Sequence, residues 1–403
     1  MDRTTPLPLQ GVTVLDLSWH LAGPYCSMIL ADLGARVIKV ERPGANGGYD
    51  PGGVARHQYK GEDVHYIALN RNKRSIILDL KDPEDHAAFL TMVGKSDVVF
   101  NNFRPGTMDR LGLGFDALRA ANPSIIFASL SAFGNTGPER MRPGVDLVVQ
   151  AESAGMSMTG EPGQPPVRAG LPIADLAGGM WTAIAILAAL RDRDQNGGGA
   201  KEIDTSLFDS HLAMIPYFTA YHTINGFTPG PQGSGGHSPT YGAFRTSDDR
   251  YVALAVIDQK PWKLLCEALE TPELLADERF ANAKSRIDHT PELRALVQKV
   301  VEKRTADEWM QRFLELGVPA GRVNELGETL QKPQVKARGM LVDIEHVLGG
   351  TIQLLGTPVH MTGYQPTFVS PPLIGQHTDE VLKEFGIERA NPTHAGADSE
   401  GAL

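Results

Sequence analysis

Apolar and polar positions change period repeatedly along the first third of the chain. Residues 12–17 form a short apolar run rich in β-branched side chains, which predicts a strand buried on both faces. A loop containing Gly23 follows, and then PYCSMILADLG from Pro24 to Gly34, in which Cys26, Ile29, Leu30 and Leu33 share one helical face. Pro in the first turn and Gly just past the last are the punctuation of a helix. Residues 37–40 predict a second strand. The alternation then recurs, with a strand at 75–80, a helix after Pro83, a strand at 97–100, a helical stretch to Asn122 and a strand at 124–129. Such repeats imply an α/β fold built on an open, mostly parallel sheet.

The remainder is organised differently. The apolar run 176–190, bounded by Asp175 and Arg191, is 15 residues long, short of the roughly 20 that span a bilayer, and reads as a buried helix. The sharpest break is GFTPGPQGSGGHSP at 226–239, a linker or a mobile lid. After it come a hairpin over 241–256, several helices over 261–316, strands again within 338–363 and a short helix at 378–385. The polar stretch 391–403 predicts a frayed end. The expected division is a large Rossmann-like α/β domain over 1–228, a smaller α+β domain over 229–337 entered through the glycine-rich stretch, and a segment 338–403 that returns to the large domain.

Composition narrows the function classes. With 403 residues, 38 Lys and Arg against 48 Asp and Glu, the net charge is −10, which excludes the continuous basic face of a nucleic-acid binder. A bound anion needs a local basic pocket. Cys26 and Cys266, the two cysteines, form neither a disulfide framework nor a metal spacing, and with the absence of an apolar core in MDRTTPLPLQG the expectation is a cytoplasmic protein without membrane attachment. There is no GxGxxG after the first strand, no GxxxxGK[ST], no GxSxG, and no HxH, HxxxH or HExxH among 12 histidines, so dinucleotide, P-loop, α/β-hydrolase and metal-hydrolase readings all lack their motifs.

In open parallel sheets ligands bind beyond the carboxyl ends of the strands. The residues there are Trp19, His20, Leu21, Ala22 and Gly23, then Arg42, then Asn102, Phe103 and Arg104, then residues 131–134. Arg71, Lys73 and Arg74, with Lys81, Arg110 and Arg142 elsewhere, supply positive charge suited to a multiply phosphorylated ligand rather than a polymer; a solvated surface cluster is the plainer alternative. Asp175, in AGLPIADLAGG at 169–179, stands at the head of the apolar helix. It is either a helix N-cap or an ionised carboxylate positioned as a nucleophile toward an activated acyl group, with Gly178 and Gly179 leaving room for a ligand.

The chain resembles the class III CoA-transferases, the family of formyl-CoA transferase and the carnitine CoA-transferase. The resemblance is carried in order by GVTVLD at 11–16 with AGP at 22–24, LGARVIKVERPG at 33–44, NKRS at 72–75, NFRPG at 102–106, FG at 133–134 with TGP at 136–138, the Asp175 segment, and GQHT at 375–378. It implies that Asp175 is the nucleophile, passing through an aspartyl mixed anhydride and an aspartyl-CoA thioester. It implies CoA contacts from Leu21, Ala22, Arg42, Leu78, Lys81, Asn102, Phe103, Arg104, Arg110 and Arg142. It also implies a lid at Gly233, Ser234, Gly235 and Gly236, no metal and no prosthetic group, coenzyme A thioester and a small organic acid as the bound partners, and an interlocked homodimer, or a pairing with a homologous second subunit. The N-cap position would then hold the carboxylate ionised and aim backbone N–H groups at a developing oxyanion.

Departures from the family pattern shape the substrate expectation. Formyl-CoA transferase carries Gln where this chain has Leu21, and Trp19 and His20 also differ, which argues against a formyl or oxalyl substrate; its glycine loop is four consecutive glycines, which Ser234 interrupts here. The related racemases place a base in Gly-His-Asp, whereas this chain reads Gly144-Val145-Asp146. No aromatic cage for carnitine is evident. His20, Arg140 and Arg142 near the expected pocket favour a dicarboxylic pair such as succinyl-CoA with a substituted diacid. An acyl-CoA isomerase using Asp175 as a base, and a non-catalytic CoA-binding protein, are the alternatives.

Overall fold

The computed structural model describes residues 7–45, 57–236 and 238–388. Six parallel strands form the main sheet: β1 (Thr13–Asp16), β2 (Arg36–Glu41), β3 (Lys73–Ile77), β4 (Val98–Asn101), β5 (Ile126–Ser131) and β6 (Lys201–Ser206), in the spatial order β3-β2-β1-β4-β5-β6. Strand order therefore reverses direction between β1 and β4, and the crevice outside their carboxyl ends is where such sheets take ligands. Pairing places Asp16 beside Lys39 and beside Phe100. The sheet is α/β with parallel strands, as expected from the pattern. Its sixth strand was not expected: KEIDTS alternates between half-buried and exposed positions, because β6 is an edge strand with one neighbour.

Helices cover both faces. Among them are α1 (Ala22–Asp32), α2 (Pro83–Val93), α3 (Asp146–Glu152), α4 (Ile173–Asn196), α5 (Leu207–Leu212) and α6 (Pro216–Asn225). On one face Cys26 and Leu30 of α1 and Ala183 and Ile186 of α4 pack with Val14, Val37, Phe100 and Leu130. On the other, Phe89, Met92 and Val93 of α2 pack with Leu15, Ile38, Ile76 and Phe127, joined by Val381, Leu382 and Phe385 at the C-terminal helix Thr378–Glu384. Adjacent residues such as Val14 and Leu15 serve opposite cores because strand side chains alternate.

Helix α4 is longer than its apolar run. At 24 residues it is long and apolar enough to cross a membrane by length and composition, yet Ala174, Ala177, Gly178, Thr182, Ala183 and Ile186 are buried within the chain, while Met180, Trp181 and Ile184 are exposed. The two glycines near its start do not leave space for a ligand. A Cβ at Gly178 would come 2.7 Å from Leu207, and one at Gly179 would come 2.6 Å from the carbonyl oxygen of Ala22. Both let neighbouring elements of the chain press against α4.

The chain divides into two compact units: residues 1–155, 168–225 and 333–403, and residues 156–167 with 226–332. The second holds an antiparallel sheet of β7 (Tyr241–Arg245), β8 (Tyr251–Ala255) and β9 (Ala320–Arg322), the first two being the expected hairpin. Its core gathers Phe244, Val252, Trp262, Phe280, Trp309 and Phe313. The strand-like stretch after 338 is a further hairpin, β10 (Leu341–Glu345) with β11 (Thr351–Leu355), in the first unit.

Candidate active site

Asp175 is the third residue of α4, and the N-cap is Pro172. The capping reading is therefore corrected. The acceptor at this helix start is Asp146, the first residue of α3, whose Oδ1 accepts from the backbone N–H of Ala174 at 2.9 Å and of Asp175 at 3.4 Å. Gln150, one turn along α3, donates from Nε2 to Asp146 Oδ2 at 2.6 Å and accepts from Ala169 N–H at 2.9 Å. Asp146 is thus held at both oxygens.

This arrangement reverses the expected electrostatics of Asp175. Its N-terminal N–H groups are occupied by Asp146, so they neither hold its own carboxylate nor point at an oxyanion. Among the described residues the Asp175 carboxylate accepts no hydrogen bond. Burial, and next the Asp146 charge alongside, push its pKa up from 3.8 to about 7. Both favour the neutral form, and conversion of the carboxylate to an uncharged acyl derivative removes the same penalty.

A cavity of about 860 Å³ opens at the strand ends around the β1–β4 switch. Of the residues expected to contact CoA, Arg42, Leu78, Lys81, Asn102, Phe103 and Arg104 line it, as does His20. The side chain of Asn102 fastens the β1 loop, accepting from Trp19 N–H at 3.0 Å and donating to Trp19 carbonyl oxygen at 2.8 Å. Trp19 meets Phe103 edge-on at 5.6 Å, and the Arg42 guanidinium lies 5.2 Å over the Trp19 ring, so a cation and an aromatic wall are presented together. His20 adopts a left-handed backbone, φ 65°, stacks on Trp19 and receives His65 Nε2 at its carbonyl oxygen.

Other expected contacts lie elsewhere. Leu21 and Ala22 flank the start of α1, and Ala22 is buried. Arg110 donates to Thr107 Oγ1 at 2.8 Å. Arg142 lines a neighbouring cavity of about 290 Å³ with Arg104 and Arg140, but it is already bound to Glu139 and Glu152 and stacked over Phe133. Arg71, Lys73 and Arg74 are no anion pocket: Arg71 grips Asp32 with both ends of its guanidinium, Lys73 reaches Asp16, and Arg74 pairs with Glu380 and Glu384. Burial draws Lys73 down to about 8 against the pull of Asp16. By contrast Arg42, Lys81, Arg104 and Arg140 enter no ion pair among the described residues.

Gly233 to Gly236 belong to the second unit. There Gly233, at φ 61°, donates to the carbonyl oxygen of Gly160 at 2.7 Å, and Ser234 N–H donates to Glu161 at 3.1 Å. His237, in the same stretch, lies outside the described residues, as does the polar end 391–403. No group of three or more metal-ligating side chains occurs among the described residues. Asp146 is the functional candidate that sequence reasoning missed, because 29 residues separate it from Asp175 and no motif spacing joins them.

Residues 9–378 match the family model described as CoA-transferase family III. The chain belongs to that family. It is 37% identical over 402 residues to the acetyl-CoA:oxalate CoA-transferase of Acetobacter aceti, covering 97% of this chain and 100% of the relative. It is 34% identical to the human succinyl-CoA:glutarate CoA-transferase, covering 95% and 87%. A CAIB/BAIF family protein from Brucella suis superposes with a TM-score of 0.84 at 32% identity, covering 94% of this chain and 100% of that one. This family III CoA-transferase is therefore an enzyme whose substrates include CoA thioesters, and the large cavity presents Arg42, Lys81 and Arg104, cations of the kind that bind phosphate groups.

Two outcomes follow from this geometry. Arg104→Ala should raise the KM for acyl-CoA by about 10-fold or more through a lost charge-assisted contact, while Arg142→Ala, whose guanidinium is already neutralised, should change it less than about 3-fold; steady-state kinetics decide. Asp175, raised from 3.8 to about 7, binds a proton in the folded state across a pH range where the unfolded chain does not, so its contribution to stability falls as pH rises through that window. Asp175→Asn should be more stable than the parent by roughly 1–3 kcal/mol at pH 8, with the difference vanishing toward pH 4 in urea titrations.

Proposed function

We propose that this family III CoA-transferase moves CoA from succinyl-CoA to a small dicarboxylic acid, with Asp175 as the nucleophile. The observation that carries the assignment is a partly buried carboxylate with no hydrogen-bond donor among the described residues and with Asp146 beside it. Two of the relatives carry dicarboxylates in their names, oxalate and glutarate, which supports the diacid class.

In the proposed sequence the ionised Asp175 attacks the thioester carbonyl of the donor, breaking the C–S bond and releasing CoA thiolate with formation of a mixed anhydride. The thiolate then attacks the aspartyl carbonyl, the donor acid leaves as its carboxylate, and an aspartyl-CoA thioester remains. The acceptor carboxylate attacks that thioester, giving a second anhydride and thiolate. Attack of the thiolate on the acceptor acyl carbon forms the new acyl-CoA and restores the Asp175 carboxylate. Each acylation of Asp175 extinguishes a charge that Asp146 opposes, so Asp146 favours the covalent states over the resting one. The nucleophile must first be ionised, and its pKa of about 7 places that requirement near neutrality.

Incubation with succinyl-CoA followed by hydroxylamine should convert Asp175 to its hydroxamate, found by peptide mass spectrometry, and Asp175→Ala should lose at least about 1,000-fold in turnover. Between pH 6 and 8 kcat/KM should rise with an apparent pKa near 7. An unmodified Asp175 together with solvent deuterium entering the α-carbon without an acceptor acid would instead assign this carboxylate to proton transfer.

We also propose that the enzyme is a homodimer. Helix α6 buries none of its residues, and Tyr217, Tyr221 and Ile224 stand exposed along it, as do Met180, Trp181 and Ile184 on α4; a second copy of the chain is the occupant suited to so much apolar surface. Sedimentation equilibrium should return a two-chain particle, and Ile224→Glu should weaken it by about 10-fold or more in the dimer dissociation constant.

A further inference from the structure

Two lysines are buried beneath the β1–α1 connection, and they share one aspartate. Asp16, Lys39 and Lys73 are each no more than 3% exposed. Asp16 Oδ1 accepts from both the backbone N–H and the hydroxyl of Ser18, and its Oδ2 accepts from the Ser27 hydroxyl. Lys39 Nζ donates to the carbonyl oxygen of Ser18. Lys73 Nζ donates to Ser27 Oγ at 2.7 Å, to Asn70 Oδ1 at 2.9 Å and to the carbonyl oxygen of Pro24 at 3.0 Å. Both ends of the segment from Ser18 to Ser27 therefore converge on a single carboxylate.

That segment has two neighbours that matter for the reaction. Its first residues, Trp19 and His20, wall the large cavity, which Lys39 also lines. Its middle is pressed flat: a Cβ at Gly23 would sit 2.3 Å from Ser18 Cβ and 3.1 Å from Asn102 Cγ. The adjacent Ala22 carbonyl then abuts Gly179 of α4, and Gly179 lies four residues, one helical turn, from Asp175 on the same side of the helix. A shift of this connection moves a cavity wall and the nucleophile's helix together.

Stability alone does not account for such a cluster. Two ammoniums against one carboxylate leave an excess positive charge out of water, and buried ion pairs are often matched or bettered by apolar replacements. We propose that Asp16, Lys39 and Lys73 are positioning residues that hold the Ser18–Ser27 connection in one conformation, and thereby fix the register between the CoA cavity and Asp175. The proposal rests on the assignment of Asp175 as nucleophile.

Lys73→Met tests it, because removal of that ammonium leaves Asp16 and Lys39 as a balanced pair and the chain should still fold. The expected result is a thermal midpoint within about 5 °C of the parent, a dissociation constant for free CoA by calorimetry within about 3-fold, and a rate of hydroxylamine-trappable aspartyl adduct formation from succinyl-CoA at least about 10-fold slower in single turnover, well below the midpoint. Ser27→Ala, which removes the hydroxyl shared by Asp16 and Lys73, should lower the same rate while folding normally, and it keeps the proposal open to refutation if Lys73→Met does not fold. Parent-like adduct formation in either folded variant overturns the proposal. So does a loss of rate that tracks loss of folded protein and is restored by stabilising osmolyte. Failure of the underlying Asp175 assignment has a different signature, the absence of any adduct in the parent enzyme itself.

Discussion

The contact between Asp146 and the start of α4 is the constraint that sets the environment of Asp175. One carboxylate does two opposed things there. By accepting from Ala174 and Asp175 N–H it satisfies backbone donors that every helix leaves open, a contribution of about 1 kcal/mol. By standing beside Asp175 it makes ionisation of that side chain harder. A neutral cap would supply the first effect without the second. The pairing keeps the helix start ordered while leaving the Asp175 carboxylate, among the described residues, without hydrogen bonds that would stabilise its ionised ground state, as the proposed role of nucleophile requires.

Charge elsewhere in the first unit is sorted by a similar rule. An acidic chain with 38 basic residues can hold a polyanion only if some cations are kept out of internal pairs. Arg71, Lys73 and Arg74 are consumed by Asp16, Asp32, Glu380 and Glu384, and Arg142 by Glu139 and Glu152. Arg42, Lys81 and Arg104, around the β1–β4 crevice, enter no ion pair among the described residues and are the cations open to the proposed ligand. Topology explains the location, since the strand-order reversal opens a gap between neighbouring crossovers, and Asn102 closes its floor by tying the β4 end to Trp19.

The strand and helix pattern was legible because the buried strands β1, β4 and β5 centre on apolar runs and β2 carries Val37, Ile38 and Val40 around its buried Lys39, whereas β6 hid in a half-exposed edge sequence. The identity of Asp175 as a residue of interest was legible from its segment; its environment was not. Position in a helix differs by single residues between a cap and an interior site, and the shift from N-cap to third helical residue reverses the direction of the electrostatic reasoning. Basic clusters misled for another reason. Sequence proximity of Arg71, Lys73 and Arg74 says nothing of side-chain direction, which in a strand alternates: Arg71 meets buried Asp32, Lys73 buried Asp16, and Arg74 the more exposed Glu380 and Glu384. The glycines at 178 and 179 were legible as close-approach positions, but only the structure identifies what approaches: Leu207 and the Ala22 carbonyl.

That last identification has a mechanical consequence. In a sheet of this order the ligand crevice and the helix that carries Asp175 are built by different parts of the chain, and precision between them must come from packing. Gly179 removes the side chain that would keep α1 and α4 apart, so the two helices meet at backbone contact distance. Contacts of that kind are short-ranged and steep, and they transmit sub-ångström displacements that a layer of flexible side chains would absorb. The buried charges under the β1–α1 connection anchor one end of this path and the Asp146 cap anchors the other. The proposed transfer through successive acyl intermediates on one carboxylate would need the same alignment in every half-step, and a rigid backbone path between the crevice and Asp175 meets that need without depending on which acid is bound.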